Sequence, residues 1–292
     1  MMPTITQRLM LAAAALIGLW FAALAGGPLR LSSGSTGLVM GLSLHGPGVA
    51  WLVLAGLTVA VWPLAWWVSS TGSVLSGPTV LAVAYLGLRA SVGPLDPLLW
   101  RDAPAGLFGR WALEGLGWTA LIALATLAGA AGRPWLRPRT PRKLRSPTCD
   151  PGSALKLGAV RGWLALGAMA PAGVLIAAVL VRTPTTGQTW AGLLVAYALV
   201  AALMQAGARS PNVAPMLLAP TLGLSLAHAW AWARYGSWTA PELLADVHAG
   251  HAPAILWASP ADAAGAGLLG ACLGLGLAHV ALAPPRHRRD PA

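Results

Sequence analysis

Asp246, His248 and His251 stand within six residues of one another in "DVHAGH". A His-x-x-His pair beside a carboxylate supplies three ligands for a divalent metal, and imidazole suits zinc. Gly250 falls between the two histidines and ends the short helix expected there, so their relative geometry stays open. A helix C-terminus also favours a histidine through its dipole alone. No cofactor is predicted; a divalent metal such as zinc is the remote alternative these residues leave open.

A second set is Glu114, Thr221, Ser225 and His228. The last three recur at helical spacing on one face of "PNVAPMLLAPTLGLSLAHAWAWAR", which Pro215, Pro220 and Gly223 interrupt. Broken helices with polar stripes are where transporters build substrate or ion sites. The plainer alternative is a kinked helix whose Ser and Thr repair freed carbonyls, with His228 bonded to a neighbour. Glu114 follows Arg110 by one helical turn, so an interfacial ion pair competes with an intramembrane role. Glu114 and His228 come at similar depths near the outer face, so a proton-coupled pair is expected there if their helices touch.

These residues sit in an oily chain. Of 292 residues, 57% are hydrophobic and 9% charged, where soluble domains carry roughly 25% charged residues. Runs of about 20 apolar residues match a helix crossing ~30 Å of hydrocarbon. Ala, Leu and Gly dominate them without alternation, which argues against a barrel. The expected fold is an all-α, polytopic transmembrane helix bundle of about eight spans: Leu9–Gly26, Gly48–Trp67, Gly77–Arg89, Trp111–Ala131, Gly162–Val181, Thr189–Gly207, Pro211–Ala233 and Pro260–Ala283. The first is expected to be a retained helix rather than a cleaved leader, and the third is the shortest.

"RPWLRPRTPRKLRSPTCDPG" holds the largest charge cluster. Placed in the cytoplasm, as the positive-inside tendency asks, it puts both termini there too. Thirteen of the nineteen Lys and Arg then lie inside and six outside. A bacterial-type inner or plasma membrane is the expected location. The net charge of +11 is thus topological, and no nucleic-acid motif accompanies it.

The cluster divides the chain into a first four-helix half, 1–132, a basic linker, 133–160, and a second half with a basic tail, 161–292. Arg8 and Arg161 precede the first helix of each half, Arg30 and Arg182 follow it, and Arg89 and Arg234 end the third. Gly93 to Trp100 and Gly250 to Trp257 have equal spacing. Two parallel repeats would explain this, although Arg and Trp also gather at interfaces without any duplication.

Other features have structural readings. Asp96, Asp102, "SPAD" at 259–262 and "TAPE" at 239–242 are helix starts. Gly270 and Gly274, with Gly265, Gly267 and Gly276, form a small-residue packing face. Tryptophans near span ends, Trp111 and Trp190 among them, fit anchoring belts. Cys149 and Cys272 form no metal pair and no disulfide is expected.

No phosphate loop, HExxH or nucleophile elbow is present. The expected function is a membrane-embedded component of a transport system. The alternatives are a non-catalytic subunit or assembly factor of a larger membrane complex and, more remotely, a metal-dependent enzyme. Expected partners are the lipid bilayer and partner membrane subunits or a second copy, with no nucleic acid.

Overall fold

The computed structural model describes residues 5–26, 46–71, 75–91, 106–136, 160–183, 185–208, 213–236, 242, 245–247 and 249–281. Among them every regular element is helical. Eight helices follow in order: α1 (Ile5–Gly26), α2 (Gly46–Thr71), α3 (Ser76–Ser91), α4 (Leu107–Leu136), α5 (Val160–Leu180), α6 (Thr186–Ala208), α7 (Ala214–Tyr235) and α8 (Pro260–Ala281). A 3₁₀ turn, Ala254–Trp257, precedes α8. Leu, Ala and Met carry these helices at little entropic cost, and a backbone in lipid must close its own hydrogen bonds.

Six of the eight are long and apolar enough to cross a membrane, as a multi-pass membrane protein requires; α3 and α7 are not. With 16 residues, α3 reaches about 24 Å at 1.5 Å per residue, short of ~30 Å of hydrocarbon. α7 is long enough, but its polar stripe lowers its hydropathy. Both are inner helices, with Val80, Ala84, Tyr85 and Leu88 of α3 and Leu217, Thr221, Leu224 and His228 of α7 buried.

Close glycine contacts fix the helix directions. Gly270 and Gly274 of α8 lie against the backbones of Leu194 and Ala198 of α6, so these two run parallel. Gly18 and Gly87 place α1 parallel to α3, through Ala84 and Leu19. α2 is antiparallel to α3, with Gly77 at Ala65 and Tyr85 at Thr58. α8 also opposes α3, through Gly265 at Leu86 and Asp262 at Arg89. α4 opposes α7 through Gly109 at Trp232, Gly115 at Ser225 and Thr119 at Thr221. Gly276 meets nothing, so it is not part of the expected packing face.

Two expectations about breaks are corrected. α7 begins at Ala214, with Pro215 in its first turn, and runs through Pro220 without interruption. A first-turn Pro loses no bond. At Pro220 the Thr221 hydroxyl caps the Leu218 carbonyl at 3.2 Å, and the Ser225 hydroxyl donates to the Thr221 carbonyl at 2.7 Å. The irregular helix is α8, where Ala263–Gly267 is π-helical. π segments in otherwise regular helices concentrate at functional sites. Trp111 is also corrected: it is fully buried in the core rather than in an interfacial belt.

Candidate functional site

α8 begins with Ser259-Pro260-Ala261-Asp262, a capping box. The Ser259 backbone N–H donates to Asp262 Oδ2 at 2.7 Å and its hydroxyl to the same oxygen at 2.8 Å. This is the role the sequence assigned to Asp262. The other carboxylate oxygen faces two helices the sequence did not connect with it. Arg89 Nε at the end of α3 lies 3.0 Å from Asp262 Oδ1, with side-chain exposures of 2% and 3%. Trp190 Nε1 in the first turns of α6 donates to the same oxygen at 2.6 Å. Arg89, expected at a membrane surface, is buried with its counter-ion. Each charge also sits at the helix end whose dipole favours it, the cation at a C-terminus and the carboxylate in a first turn.

The chain entering α8 is buried as well. Ala252, Ala254, Ile255, Leu256, Trp257, Ala258 and Ser259 are all buried, although the backbone there is a single 3₁₀ turn between extended residues. Irregular backbone at membrane depth persists only where protein covers it or a cavity lines it. His228, fully buried on α7, holds this segment with Nε2 3.3 Å from the Leu256 carbonyl oxygen. Its Nδ1 has no hydrogen-bond partner among the described residues. Aromatic rings close around it: Trp111 at 5.1 Å and Phe108 at 5.9 Å between centroids, with Trp257 6.1 Å from Phe108. The segment is thus tied to α7 and packed on α4, while the residues it leads into bind α3 and α6.

No family model matches this chain, and neither a curated protein nor a solved structure matches it.

The expected polar set is partly assembled. α4 and α7 touch, and Thr221, Ser225 and His228 all face inward, buried. Thr119 Oγ1, not anticipated, lies 2.8 Å from Thr221 Oγ1 and 2.8 Å from the Gly115 carbonyl oxygen. Glu114 is buried near Gly115, yet no ion pair joins it to Arg110, which is exposed. Among the described residues no contact between Glu114 and His228 is seen; the imidazole's neighbours include Trp111, Phe108 and Leu256.

Asp246 and His251 pair at 3.2 Å on the surface, the histidine 73% exposed. His248, like Thr239, Leu243, Leu244, Asp96, Asp102 and Cys149, lies outside the described residues. Among the described residues no three His, Cys, Asp or Glu side chains form a metal-ligand group.

The missed residues had a signal. Arg89 is the lone charge of α3, and Asp262 the lone acid of α8. Charges placed alone in apolar helices seek one another.

Proposed function

We propose that the protein is a membrane-embedded component of a transport system, with its solute site at the end of the bundle where α3 stops and α8 starts. The observation that carries this reading is the buried Arg89–Asp262 pair, joined by half-buried Trp190, next to an irregular and largely buried segment. Ionisable groups at such depth are costly to keep and concentrate on solute or ion pathways.

Eight spans in two parallel four-helix repeats complete the reading. Gly117 on Trp51 (α4 on α2) has its counterpart in Gly270 on Leu194 (α8 on α6). Thr119 at Thr221 (α4 and α7) has its counterpart in Cys272 at Thr79 (α8 and α3). The shift from Gly117 to Gly270 and from Thr119 to Cys272 is 153 residues in each case, the same as from Arg8 to Arg161. From Trp51 to Leu194 and Thr79 to Thr221 it is 143 and 142. One long and one short connection thus exchange between halves, while helix registers are kept. The basic residues from Arg133 to Lys156 and from Arg286 to Arg289 then lie on the cytoplasmic side with both termini.

Single cysteines in a protein lacking Cys149 and Cys272 test both parts. With a membrane-impermeant maleimide on oriented vesicles, Ser146→Cys should react from the cytoplasmic side and Ser237→Cys from the other. A reversed pattern overturns the topology. Ser225→Cys and Ala258→Cys, buried in this conformation, should still label slowly from one side, because a transporter must open. Complete protection of both, with Ser237→Cys reacting, would instead favour a non-catalytic scaffold subunit.

A further inference from the structure

The two oxygens of Asp262 do separate jobs. Oδ2 belongs to the cap of its own helix, held by the Ser259 N–H and hydroxyl. Oδ1 receives Arg89 and Trp190, from α3 and α6, which the repeat reading assigns to different halves. The cap needs neither of them. Asp262 and Ser259 can therefore move as one unit with the start of α8, whereas the guanidinium and the indole stay behind on regular helices.

The chain around Asp262 is built for such movement. Upstream, Gly250 adopts φ 78°, a left-handed conformation that glycine takes without strain. Downstream, the π segment Ala263–Gly267 holds one residue more than the α-helical register. Its relaxation to α geometry would turn Asp262 by about 100° relative to Leu268–Ala281. Withdrawing a carboxylate from beside the buried Arg89 guanidinium is unfavourable, and a second carboxylate taking its place would offset that loss.

We propose that Arg89 and Trp190 form a carboxylate-recognition site that Asp262 fills in this conformation, and that a carboxylate-bearing solute displaces it. A guanidinium Nε 3.0 Å from one carboxylate oxygen and an indole N–H donating to the same oxygen suit a carboxylate. Exchange of one carboxylate for another leaves the charge balance of the buried cluster unchanged. Solute entry thereby frees the start of α8 and the segment 252–259, and solute loss lets Asp262 return. The solute assignment rests on the transport reading, whereas binding at Arg89 can be measured without it.

The experiment uses purified full-length protein in nanodiscs, with sodium acetate as probe and sodium chloride and acetamide as controls at matched ionic strength. In wild type, acetate should speed hydrogen exchange over residues 250–262 and the controls should not. In Asp262→Ala, acetate should raise the thermal midpoint by several degrees, growing with the logarithm of its concentration. Asp262→Asn serves the same purpose should the alanine variant fail to fold. Adding Arg89→Ala should abolish the response. Equal effects of chloride and acetate, a response that survives without Arg89, or an unchanged wild-type exchange pattern would each overturn the proposal. Acetate binding without labelling of Ser225→Cys or Ala258→Cys would sink the transport reading alone.

Discussion

Between α3 and α8, Thr79 meets Cys272, Leu86 meets Gly265 and Arg89 meets Asp262. Between α4 and α7, Thr221 meets Thr119, Ser225 meets Gly115 and Trp232 meets Gly109. Both seams are antiparallel, and each opens on a Pro-Thr pair, Pro78-Thr79 in one and Pro220-Thr221 in the other. They differ at the end away from the linker. The first closes with a buried ion pair; the second closes with neutral rings around His228. A neutral seam can open with small losses spread over many contacts. A charged seam opens only if both charges find new partners, so its opening can be made conditional on a ligand.

The largest expected effect follows from that difference. Asp262→Ala removes the carboxylate 3.0 Å from buried Arg89 and should cost about 3–5 kcal/mol of stability. Replacing both partners, Arg89→Met with Asp262→Leu, should recover most of the loss, because two apolar side chains leave no charge to solvate. Unfolding of purified protein by heat or by titrated denaturant reads the difference. A single-variant loss no larger than that of Thr221→Val would erase the distinction between the seams.

Glycine substitutions give the next effect. A Cβ on Gly265 would lie 2.8 Å from Leu86 Cα and 2.9 Å from its N, and backbone cannot step aside. Gly265→Ala should cost about 1–3 kcal/mol. At Gly115 the added carbon meets the Ser225 side chain, which can rotate, so Gly115→Ala should cost less. Gly276→Ala, with open space around it, should change stability by under about 0.5 kcal/mol. The order Gly265, Gly115, Gly276 in melting temperature is the check.

How much of this was readable beforehand depends on the range of each interaction. Every helix left its mark as an apolar run, and the cap of α8 was plain in "SPAD", because both signals are local. The buried face of α7 followed from the spacing of Thr221, Ser225 and His228. The partners of those faces did not follow. Nothing near Arg89 names Asp262 or Trp190, since the chain folds through two further helices before reaching Trp190 and four before Asp262. Pro220 suggested a break, yet α7 continues through it. The irregular turn in α8 lies in "AAGAG", a sequence as compatible with α as with π geometry, so tertiary packing decides it.

A smaller effect belongs to the neutral seam. Thr119→Val and Thr221→Val each remove one member of a partly buried hydroxyl pair, and interhelical hydrogen bonds within membrane bundles average about 0.6 kcal/mol. The double variant should lose less than the two singles summed, since either substitution alone already breaks the contact. Strict additivity would show that the two hydroxyls act separately, each on its own helix carbonyl.

The smallest effect sharpens the comparison from outside the core. Asp246 and His251 pair at 3.2 Å, nearly the separation of Arg89 and Asp262, but the histidine is 73% exposed. Water solvates the histidine whether or not the two meet and reaches the Asp246 side chain, which is 20% exposed, so salt screens what attraction remains. His251→Ala should therefore leave the melting temperature unchanged within error at any ionic strength, while Asp262→Ala remains destabilising at all of them. A metal would alter this expectation, since a zinc ion held by Asp246, His248 and His251 would bind the folded state and stabilise it in proportion to its occupancy. Metal analysis of wild type beside a His248→Ala/His251→Ala variant separates the cases. Equal, negligible metal in both leaves a screened surface pair, whereas near-stoichiometric zinc lost with the histidines would make this surface a second site independent of the buried cluster.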